Sequence, residues 1–296
     1  MGRNLLFVLL FGALLILAAC GSDEPTDAKN GETEAETADD AEETTEATEN
    51  GEIETLVVGA SNVPHAEILE EAAPLLEEEG IELVIETFQD YILPNTALEE
   101  EDLDANYFQH IPYLNLQIEE HGYDFVSAGG IHIEPIGLYS KRHESIDDIP
   151  EGGTILMGNS VANHGRALAM LEREGLLTLD ESVDKTEATV EDIVDNPLDL
   201  QFNYEFEESY LPQVYENDEG DAVLINSNYA LDVGLNPLED SIAIEESDSP
   251  YANVIAVRNG DEEQEKIKKL VEILRSDEIQ QFILDQWGGS VVPVSE

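Results

Sequence analysis

Residues 55–88, TLVVGASNVPHAEILEEAAPLLEEEGIELVIETF, place a strand, a helix and a second strand in succession. Thr55–Ala60 is a short apolar run, which is typical of a buried strand. From Pro64 to Glu79 the apolar residues recur at helical spacing, and Gly80 follows as a stop signal. Ile81–Phe88 then predicts the second strand. A strand, a helix and a strand in this order indicate an α/β fold.

The rest of the chain continues this alternation. Pro74 predicts a kink or a break in the first helix. Further strands are predicted at 124–128, 131–139, 154–157, 222–225 and 253–257. Helices are predicted near Leu98 and at 111–120 and 163–174, with one or two helices at 264–287. Strands that alternate with helices favour largely parallel sheets.

Charge and cysteine content exclude several classes of protein. The chain has 68 acidic and 12 basic residues, a net charge of −56, which excludes nucleic acid as a partner and disfavours docking on anionic lipid headgroups. A single cysteine, Cys20, excludes an internal disulfide framework and a cysteine-built zinc site. The six histidines form no HExxH motif, so we predict no metal site.

The first residues have the pattern of a signal peptide. Arg3 precedes the apolar run Leu5–Ala19, which is short for a helix that crosses a bilayer. The run ends in Leu-Ala-Ala-Cys20, which resembles a bacterial lipobox. That resemblance implies cleavage after residue 19 and acylation of Cys20, with the protein anchored by lipid at the extracytoplasmic face of the cell membrane. The alternative is an ordinary signal peptide followed by an incidental cysteine.

An acidic segment follows the cysteine. Residues 22–52 contain no Val, Ile, Leu, Met or aromatic residue, so nothing there can offset the entropy of ordering. We therefore interpret 20–52 as the acylated cysteine with a disordered acidic tether, roughly 30 Å in span. The folded part is acidic too, which indicates either a surface adapted to salt or alkali or a negative face for a basic partner.

Known catalytic motifs are missing from the sequence. It contains no GxSxG, no GxxxxGK[ST] and no GxGxxG. With 68 carboxylates, no acid pair can be singled out for general acid–base catalysis. We therefore predict a binding protein without a cofactor rather than an enzyme.

Six local strings stand out when the chain is read in order. They are Asp90-Tyr91-x-x-Pro94-Asn95, Asp104–Leu114 (DANYFQHIPYL), Pro135–Ser140, Asn163-x-Gly165-Arg166-Ala167-Leu168, Ile225-Asn226-x-x-Tyr229-Ala230 and Ser249–Asn253 (SPYAN). Their order, after a lipobox, resembles the NlpA-type lipoproteins, the methionine-binding components of ABC importers. Two departures from that family's pattern are a missing proline in Gly158–Ala162 and an isoleucine at position 111 in place of a basic residue.

This resemblance implies an α/β, two-lobed, periplasmic-binding-protein-like fold of type II, with a ligand cleft between the lobes. It places lobe one at 53–136 and 251–296, and lobe two at 137–250. It implies capture of L-methionine, or a close analogue, for delivery to an ABC permease and its ATPase. The alternatives are a related protein for another small amino acid or a short peptide, a surface interaction lipoprotein, or an unrecognised hydrolase.

Three polar residues are candidates for the charged end of an amino acid. Arg166, which we place in the first turn of a helix, offers a planar fork for a carboxylate, and Asn163 offers an amide. Asn226 follows a predicted strand, where α/β folds present ligand contacts. The alternatives are a surface Arg166 paired with a nearby acid, and an Asn226 that caps a helix beginning at Ser227. We expect Asn159 or Ser160 to cap the helix that carries Arg166.

Four aromatic residues are candidates for the side-chain end: Tyr91, Phe108, His110 and Tyr113. A thioether is polarisable and packs well on ring edges, so an aromatic wall suits methionine better than it suits a charged side chain. Considered singly, Phe108 fits core packing and His110 fits a structural histidine. Tyr113 is equally consistent with supporting its helix. The assignment of all four residues to a ligand site depends on the family strings in which they lie.

We expect Cys20→Ala to abolish lipid labelling and to release the protein from membranes, because Cys20 is the only thiol in the chain. Labelling of cells with a fatty-acid analogue, followed by membrane fractionation, measures both properties. Unchanged labelling and membrane retention would contradict the lipobox interpretation.

Overall fold

The computed structural model describes residues 53–247 and 250–294. The predicted signal peptide, Cys20 and the tether to residue 52 lie outside the described residues. Within the described ranges, no helix combines the length and apolar character needed to cross a membrane. The described residues belong to one compact unit, Asn50–Glu296.

The described ranges contain thirteen strands. In chain order they are β1 (Glu54–Ser61), β2 (Ile81–Phe88), β3 (Ala105–His110), β4 (Phe125–Ile133), β5 (Gly137–Tyr139), β6 (Thr154–Gly158), β7 (Thr178–Leu179), β8 (Ile193–Asp195), β9 (Gln201–Phe206), β10 (Ala222–Ile225), β11 (Ala243–Ile244), β12 (Ala252–Arg258) and β13 (Val292–Pro293).

Eight α-helices separate these strands in the described ranges. They are α1 (Glu67–Glu78), α2 (Leu93–Glu99), α3 (Ile111–His121), α4 (Val161–Arg173), α5 (Leu211–Glu216), α6 (Ser227–Asp232), α7 (Glu265–Leu274) and α8 (Asp277–Trp287). Gly80 and Gly122 follow α1 and α3 with positive φ, the conformation that glycine adopts at a helix end without steric cost.

Two sheets carry the fold, and both are mixed. The first has the order β13-β4-β12-β3-β1-β2, and the second has the order β11-β5-β10-β6-β9. β1 is parallel to β2 and β3, whereas β12 is antiparallel to β3 and β4. In the second sheet β6 is parallel to β9 and β10, whereas β5 is antiparallel to β10 and β11. The prediction of largely parallel sheets was wrong, because the strands next to the crossings between the sheets run against their neighbours.

Each sheet packs against its own helices, which confirms the α/β class and the two-lobed fold. The first core contains Leu56, Ile68 and Ile255, and the second contains Leu138 and Leu168. The chain passes from the first sheet to the second between β4 and β5, and returns between β11 and β12. The lobe boundaries stay a prediction.

Several predicted boundaries, and the predicted break at Pro74, differ from the structure. β4 continues through Gly129 and Gly130, where we predicted two strands, 124–128 and 131–139. A Cβ on Gly129 would lie 2.9 Å from a Val271 methyl group, so the close approach of α7 requires glycine there. α1 runs through Pro74 without a break. Proline has no N–H, so the backbone carbonyl of Glu70 loses its helical hydrogen bond, but Glu70 and Pro74 both face solvent and the loss is tolerated. α4 begins two residues before the predicted start at 163.

We expect Gly165→Ala in α4 to lower the free energy of unfolding by about 1–3 kcal/mol through overpacking. A Cβ on Gly165 would lie 2.3 Å from the backbone oxygen of Lys185. This clash outweighs the roughly 0.5–1 kcal/mol by which Ala is preferred to Gly inside a helix. Denaturant unfolding measures the change.

Gly289→Ala is the matched control, because the nearest atom to its Cβ lies at 3.6 Å, an ordinary contact. We expect its free energy of unfolding to stay within about 0.5 kcal/mol of the unmodified protein. A Gly165→Ala protein as stable as this control would contradict the prediction and would show that the backbone at Lys185 moves to accommodate the added methyl group.

Candidate functional site

A cavity with about 360 Å³ of empty space, its open mouth included, lies between the two lobes. The seven residues predicted from the sequence all line it, and they are Tyr91, Phe108, His110, Tyr113, Asn163, Arg166 and Asn226. The structure therefore brings together groups up to 135 positions apart in the chain; that they bind a ligand stays a prediction.

Secondary-structure ends position most of these side chains. His110 is the last residue of β3 and the N-cap of α3, and Asn226 follows β10 directly. Asn163 and Arg166 lie in the first half of α4, which follows β6. Because β3, β6 and β10 present their carboxyl ends to the cleft, polar groups from both lobes converge there.

His110 joins the two lobes through its imidazole. Its Nε2–H donates to Oδ1 of Asn163 over 3.0 Å, and its Nδ1 accepts the backbone N–H of Tyr113 over 3.1 Å. Burial, with the Arg166 charge as a second cause, lowers the pKa of His110 to about 3. His110 is therefore a satisfied, neutral structural histidine, as its alternative interpretation predicted, and it also lines the cavity.

The aromatic residues form one wall of the cavity. Ring centroids of Tyr91, Phe108 and Tyr113 lie 5.8–6.1 Å apart. The Tyr91 hydroxyl donates to Oδ1 of Asn228 over 2.6 Å, and the Tyr113 hydroxyl donates to the backbone oxygen of Tyr91 over 3.0 Å. Burial raises the pKa of both phenols, so they stay neutral. With their polar ends satisfied, the rings offer the cavity an apolar surface.

Arg166 is buried and lies in the second turn of α4, because that helix starts at Val161. Both the predicted first-turn position and the alternative of a surface residue were therefore wrong. Its Nε donates to Glu245 over 3.0 Å, and its Nη2 donates to Glu245 and, over 2.7 Å, to the backbone oxygen of Glu134. The guanidinium also lies 4.6 Å from the ring centroid of Tyr251. None of these hydrogen bonds uses Nη1.

The start of α4 is capped by a distant carboxylate. Ser160 occupies the N-cap position but its side chain makes no capping hydrogen bond, so the expected cap by Asn159 or Ser160 was wrong. Instead Oε1 of Glu208 accepts the backbone N–H of Ser160 over 3.0 Å and the amide of Asn163 over 3.4 Å. Burial raises the pKa of Glu208. Asn163 is therefore held at both ends of its amide, by His110 and by Glu208.

Asn226 occupies the N-cap position of α6 without a capping side-chain hydrogen bond. The helix-cap alternative for this residue was therefore wrong, because its amide lines the cavity instead.

Sequence reasoning missed the acidic group of the cavity, Glu134. It also missed four polar lining residues, Gln109, Ser227, Asn228 and Asn253. Oε1 of Glu134 lies 2.8 Å from Nε2 of His132 and 3.2 Å from Nε2 of His65. Burial raises the pKa of Glu134, although the electrostatic effects of His65 and of the Arg166 charge oppose the shift. The sequence did contain a signal for this residue, which is a carboxylate inside the mostly apolar segment 131–136.

His65, His132 and Glu134 are also the one group among the described residues whose potential metal-ligand atoms all lie within 4.8 Å of one another. A hydrogen bond already joins Nε2 of His132 to Oε1 of Glu134, and Nε2 of His65 lies 3.2 Å from the same oxygen. The same Nε2 of His65 also lies 3.0 Å from Oδ1 of Asn253, whereas its buried Nδ1 makes no hydrogen bond within the described ranges. Because the carboxylate oxygen and both Nε2 atoms already contact one another, we assign no metal to this group.

Comparisons with known proteins identify similar chains over the whole described fold. The profile of the NlpA lipoprotein family matches residues 56–295. A methionine-binding lipoprotein, MetQ, of Bacillus subtilis is 46% identical over 295 residues, which is 97% of this chain and 99% of that protein.

Two solved structures are also similar. A YaeC-family lipoprotein of Enterococcus faecalis, described as a pheromone cOB1 precursor, is 55% identical with a TM-score of 0.80 and covers 81% of this chain and 100% of its own. A nutrient-binding protein of Burkholderia cenocepacia, solved with bound methionine, is 41% identical with a TM-score of 0.75, over 80% of this chain and 99% of its own.

We expect the buried histidines to stay neutral down to about pH 5, because burial lowers the pKa of His65 to about 4 and those of His110 and His132 to about 3. An unfolded imidazole takes up a proton near pH 6.5. The stability that these groups contribute is therefore present above about pH 6.5 and is lost as the pH falls towards the folded values.

Two-dimensional NMR of protein with ¹⁵N-labelled histidine, recorded from pH 8 to pH 5, measures the protonation of each ring. We expect these three rings to keep the signals of a neutral imidazole throughout. A titration midpoint above about pH 6 for any of them would contradict the assigned hydrogen-bond network.

Proposed function

The chain belongs to the NlpA lipoprotein family, and from that premise we propose that it is a solute-binding lipoprotein that captures L-methionine or a close analogue. It delivers the amino acid to an ABC permease and its ATPase at the extracytoplasmic face of the cell membrane. One observation carries the proposal: a single buried cavity holds a guanidinium, a carboxylate and an aromatic wall. These groups complement the carboxylate, the ammonium and the side chain of a free amino acid.

The ligand carboxylate is assigned to Arg166. Burial of a carboxylate is costly unless a charge or several hydrogen bonds compensate it. Nε and Nη2 of Arg166 already serve Glu245 and the backbone of Glu134, which fix the plane of the guanidinium. Nη1 therefore takes the carboxylate, and the amides of Asn163 and Asn226 supply neutral hydrogen bonds beside it.

The ligand ammonium is assigned to Glu134, the carboxylate in the lining of this cavity. A buried ion pair is stabilising only when the remaining lone pairs and protons are satisfied. Glu134 meets this condition, because His132 and the backbone N–H of Asn228 donate to its carboxylate and Nε2 of His65 lies 3.2 Å from Oε1. Bringing a cation into the cavity therefore neutralises a carboxylate that is already held in place.

The side chain of the ligand is assigned to Tyr91, Phe108 and Tyr113. A thioether gains from contact with ring edges, and these rings present apolar surface once their hydroxyls are bonded elsewhere. Hydrogen bonds from His110 to Asn163 and from Tyr91 to Asn228 join the two lobes across the cavity. This enclosure supports a free amino acid over a short peptide, and calorimetry with a panel of free amino acids tests that choice.

Delivery requires the cleft to open and close, and the two crossings between the sheets are the natural hinges. Lobe one is then 53–136 with 251–296, and lobe two is 137–250. In this proposal, acylated Cys20 and the acidic tether hold this body near the permease. A lipid anchor of this kind agrees with the lipoprotein names of the relatives.

We expect Arg166→Ala to weaken methionine binding by roughly 30- to several-thousand-fold, because removing one member of a buried charge pair costs roughly 2–5 kcal/mol. Arg166→Lys should restore only part of the affinity, since a point charge cannot reproduce the planar fork. Methionine amide, which lacks the carboxylate, should bind the unmodified protein poorly and distinguish little between it and Arg166→Ala. Isothermal calorimetry with both ligands measures all of these affinities.

Arg173→Ala is the matched control, because Arg173 lies on the same helix but pairs with Glu174 at the surface. It should bind methionine within about twofold of the unmodified protein. Equal methionine affinity in Arg166→Ala and Arg173→Ala would remove Arg166 from the site. Failure of the unmodified protein to bind methionine would overturn the proposed function itself.

A further inference from the structure

We propose that His132 is a positioning residue that holds the Glu134 carboxylate ready for the ligand's ammonium, and that this contact makes the cavity select α-amino acids over the corresponding α-hydroxy acids. The inference rests on the proposed function and adds to it a residue that does not line the cavity. It assigns to His132 a role in specificity that acts only through Glu134.

A line of three buried side chains leads from the first sheet to the cavity. The hydroxyl of Tyr107, on β3, bonds Nδ1 of His132, on β4. Nε2 of His132 lies 2.8 Å from Oε1 of Glu134. Tyr107 and His132 are 0% exposed and Glu134 is 6% exposed, and only Glu134 lines the cavity. His132 therefore reaches a ligand only by way of the carboxylate.

With Glu134 ionised and His132 neutral, only one arrangement of protons satisfies this line. An ionised carboxylate only accepts hydrogen bonds, so Nε2 of His132 must carry the proton and donate it. Nδ1 is then an acceptor, and the Tyr107 hydroxyl donates to it. Burial lowers the pKa of His132 to about 3, which agrees with the neutral form. Tyr107 thus fixes the tautomer, and the tautomer fixes the direction of the hydrogen bond to Glu134.

The other groups that face Glu134 do not replace this contact. His65 approaches the same oxygen over 3.2 Å, but its Nε2 also lies 3.0 Å from Oδ1 of Asn253, so its one proton is shared. Arg166 bonds the backbone oxygen of Glu134 and acts on the carboxylate through its charge alone. The backbone N–H of Asn228 donates to the carboxylate from the second lobe. His132 makes the shortest hydrogen bond that the structure records to this carboxylate.

Selectivity follows from the charge that His132 preserves. A carboxylate that loses a buried donor is destabilised as an anion, so it takes up a proton or turns away. An ammonium group then loses its counter-charge, whereas the hydroxyl of an α-hydroxy acid loses little. Loss of the His132 contact should therefore weaken amino-acid binding and leave hydroxy-acid binding nearly unchanged.

Two substitutions of His132 separate positioning from packing. Gln reaches about as far as Nε2 of histidine and carries an N–H there, so His132→Gln keeps the donor to Glu134. Asn is shorter, so His132→Asn keeps a polar group near Tyr107 but loses the donor. The probes are L-methionine and its hydroxy analogue, 2-hydroxy-4-(methylthio)butanoate, titrated into the whole protein by calorimetry.

We expect His132→Gln to bind both probes within about threefold of the unmodified protein. We expect His132→Asn to bind methionine at least about ten-fold more weakly and the hydroxy analogue within about threefold. The ratio of the two affinities should therefore collapse in the Asn variant alone. Tyr107→Phe, which frees the tautomer of His132, should lower the same ratio and decides the question if the Asn variant does not fold.

An equal loss of affinity for both probes in His132→Asn would overturn the positioning role. So would an unchanged ratio of the two affinities in His132→Gln, His132→Asn and Tyr107→Phe alike. Tight methionine binding by the unmodified protein, together with either result, would leave the proposed function standing. No methionine binding by the unmodified protein would overturn the proposed function instead. The two failures are thus distinguishable in one set of titrations.

Discussion

One buried guanidinium connects the second lobe to both segments by which the chain crosses between the two sheets. Arg166, from the second lobe, bonds the backbone of Glu134 in one crossing segment and the side chain of Glu245 in the other. A charge this deeply buried is tolerated only because several acceptors surround it. The same arrangement fixes the guanidinium plane and places it at the cavity. The crossings, the cavity and the proposed carboxylate contact thus depend on one side chain.

Neutral histidines complete the polar network around that charge. His110, at the start of α3, bonds Asn163 of α4. Nε2 of His132 and Nε2 of His65 both lie close to Oε1 of Glu134. Each imidazole stays neutral because burial penalises its charged form. In a chain of net charge −56, the charged groups that line the cavity are the Arg166 guanidinium and the Glu134 carboxylate, with Glu245 paired to Arg166 behind it and Glu208 at the helix cap. The proposed ligand, a zwitterion, brings one group of each sign to these two charges.

The sequence predicted what is local and missed what depends on distant partners. Helix ends at Gly80 and Gly122 and strands such as 222–225 follow from short-range patterns, and the seven cavity residues were found because each lies in a recognisable string. The pair Arg166–Glu245 spans 79 positions, and the cap from Glu208 to Ser160 spans 48. No periodicity links such residues. Glu134 was missed because a carboxylate in a mostly apolar segment has no evident function until the second lobe covers it.

The central claim is that the cavity holds a free amino acid with its carboxylate at Arg166 and its thioether against the aromatic wall. A crystal structure of the protein with L-selenomethionine as ligand, with the protein itself containing ordinary methionine, tests this directly through the anomalous signal of selenium. We expect one strong ligand peak in contact with Tyr91, Phe108 and Tyr113, with the carboxylate within hydrogen-bond distance of Nη1 of Arg166. A selenium peak beside Arg166 and Glu134, or a cavity without selenium, would contradict this claim.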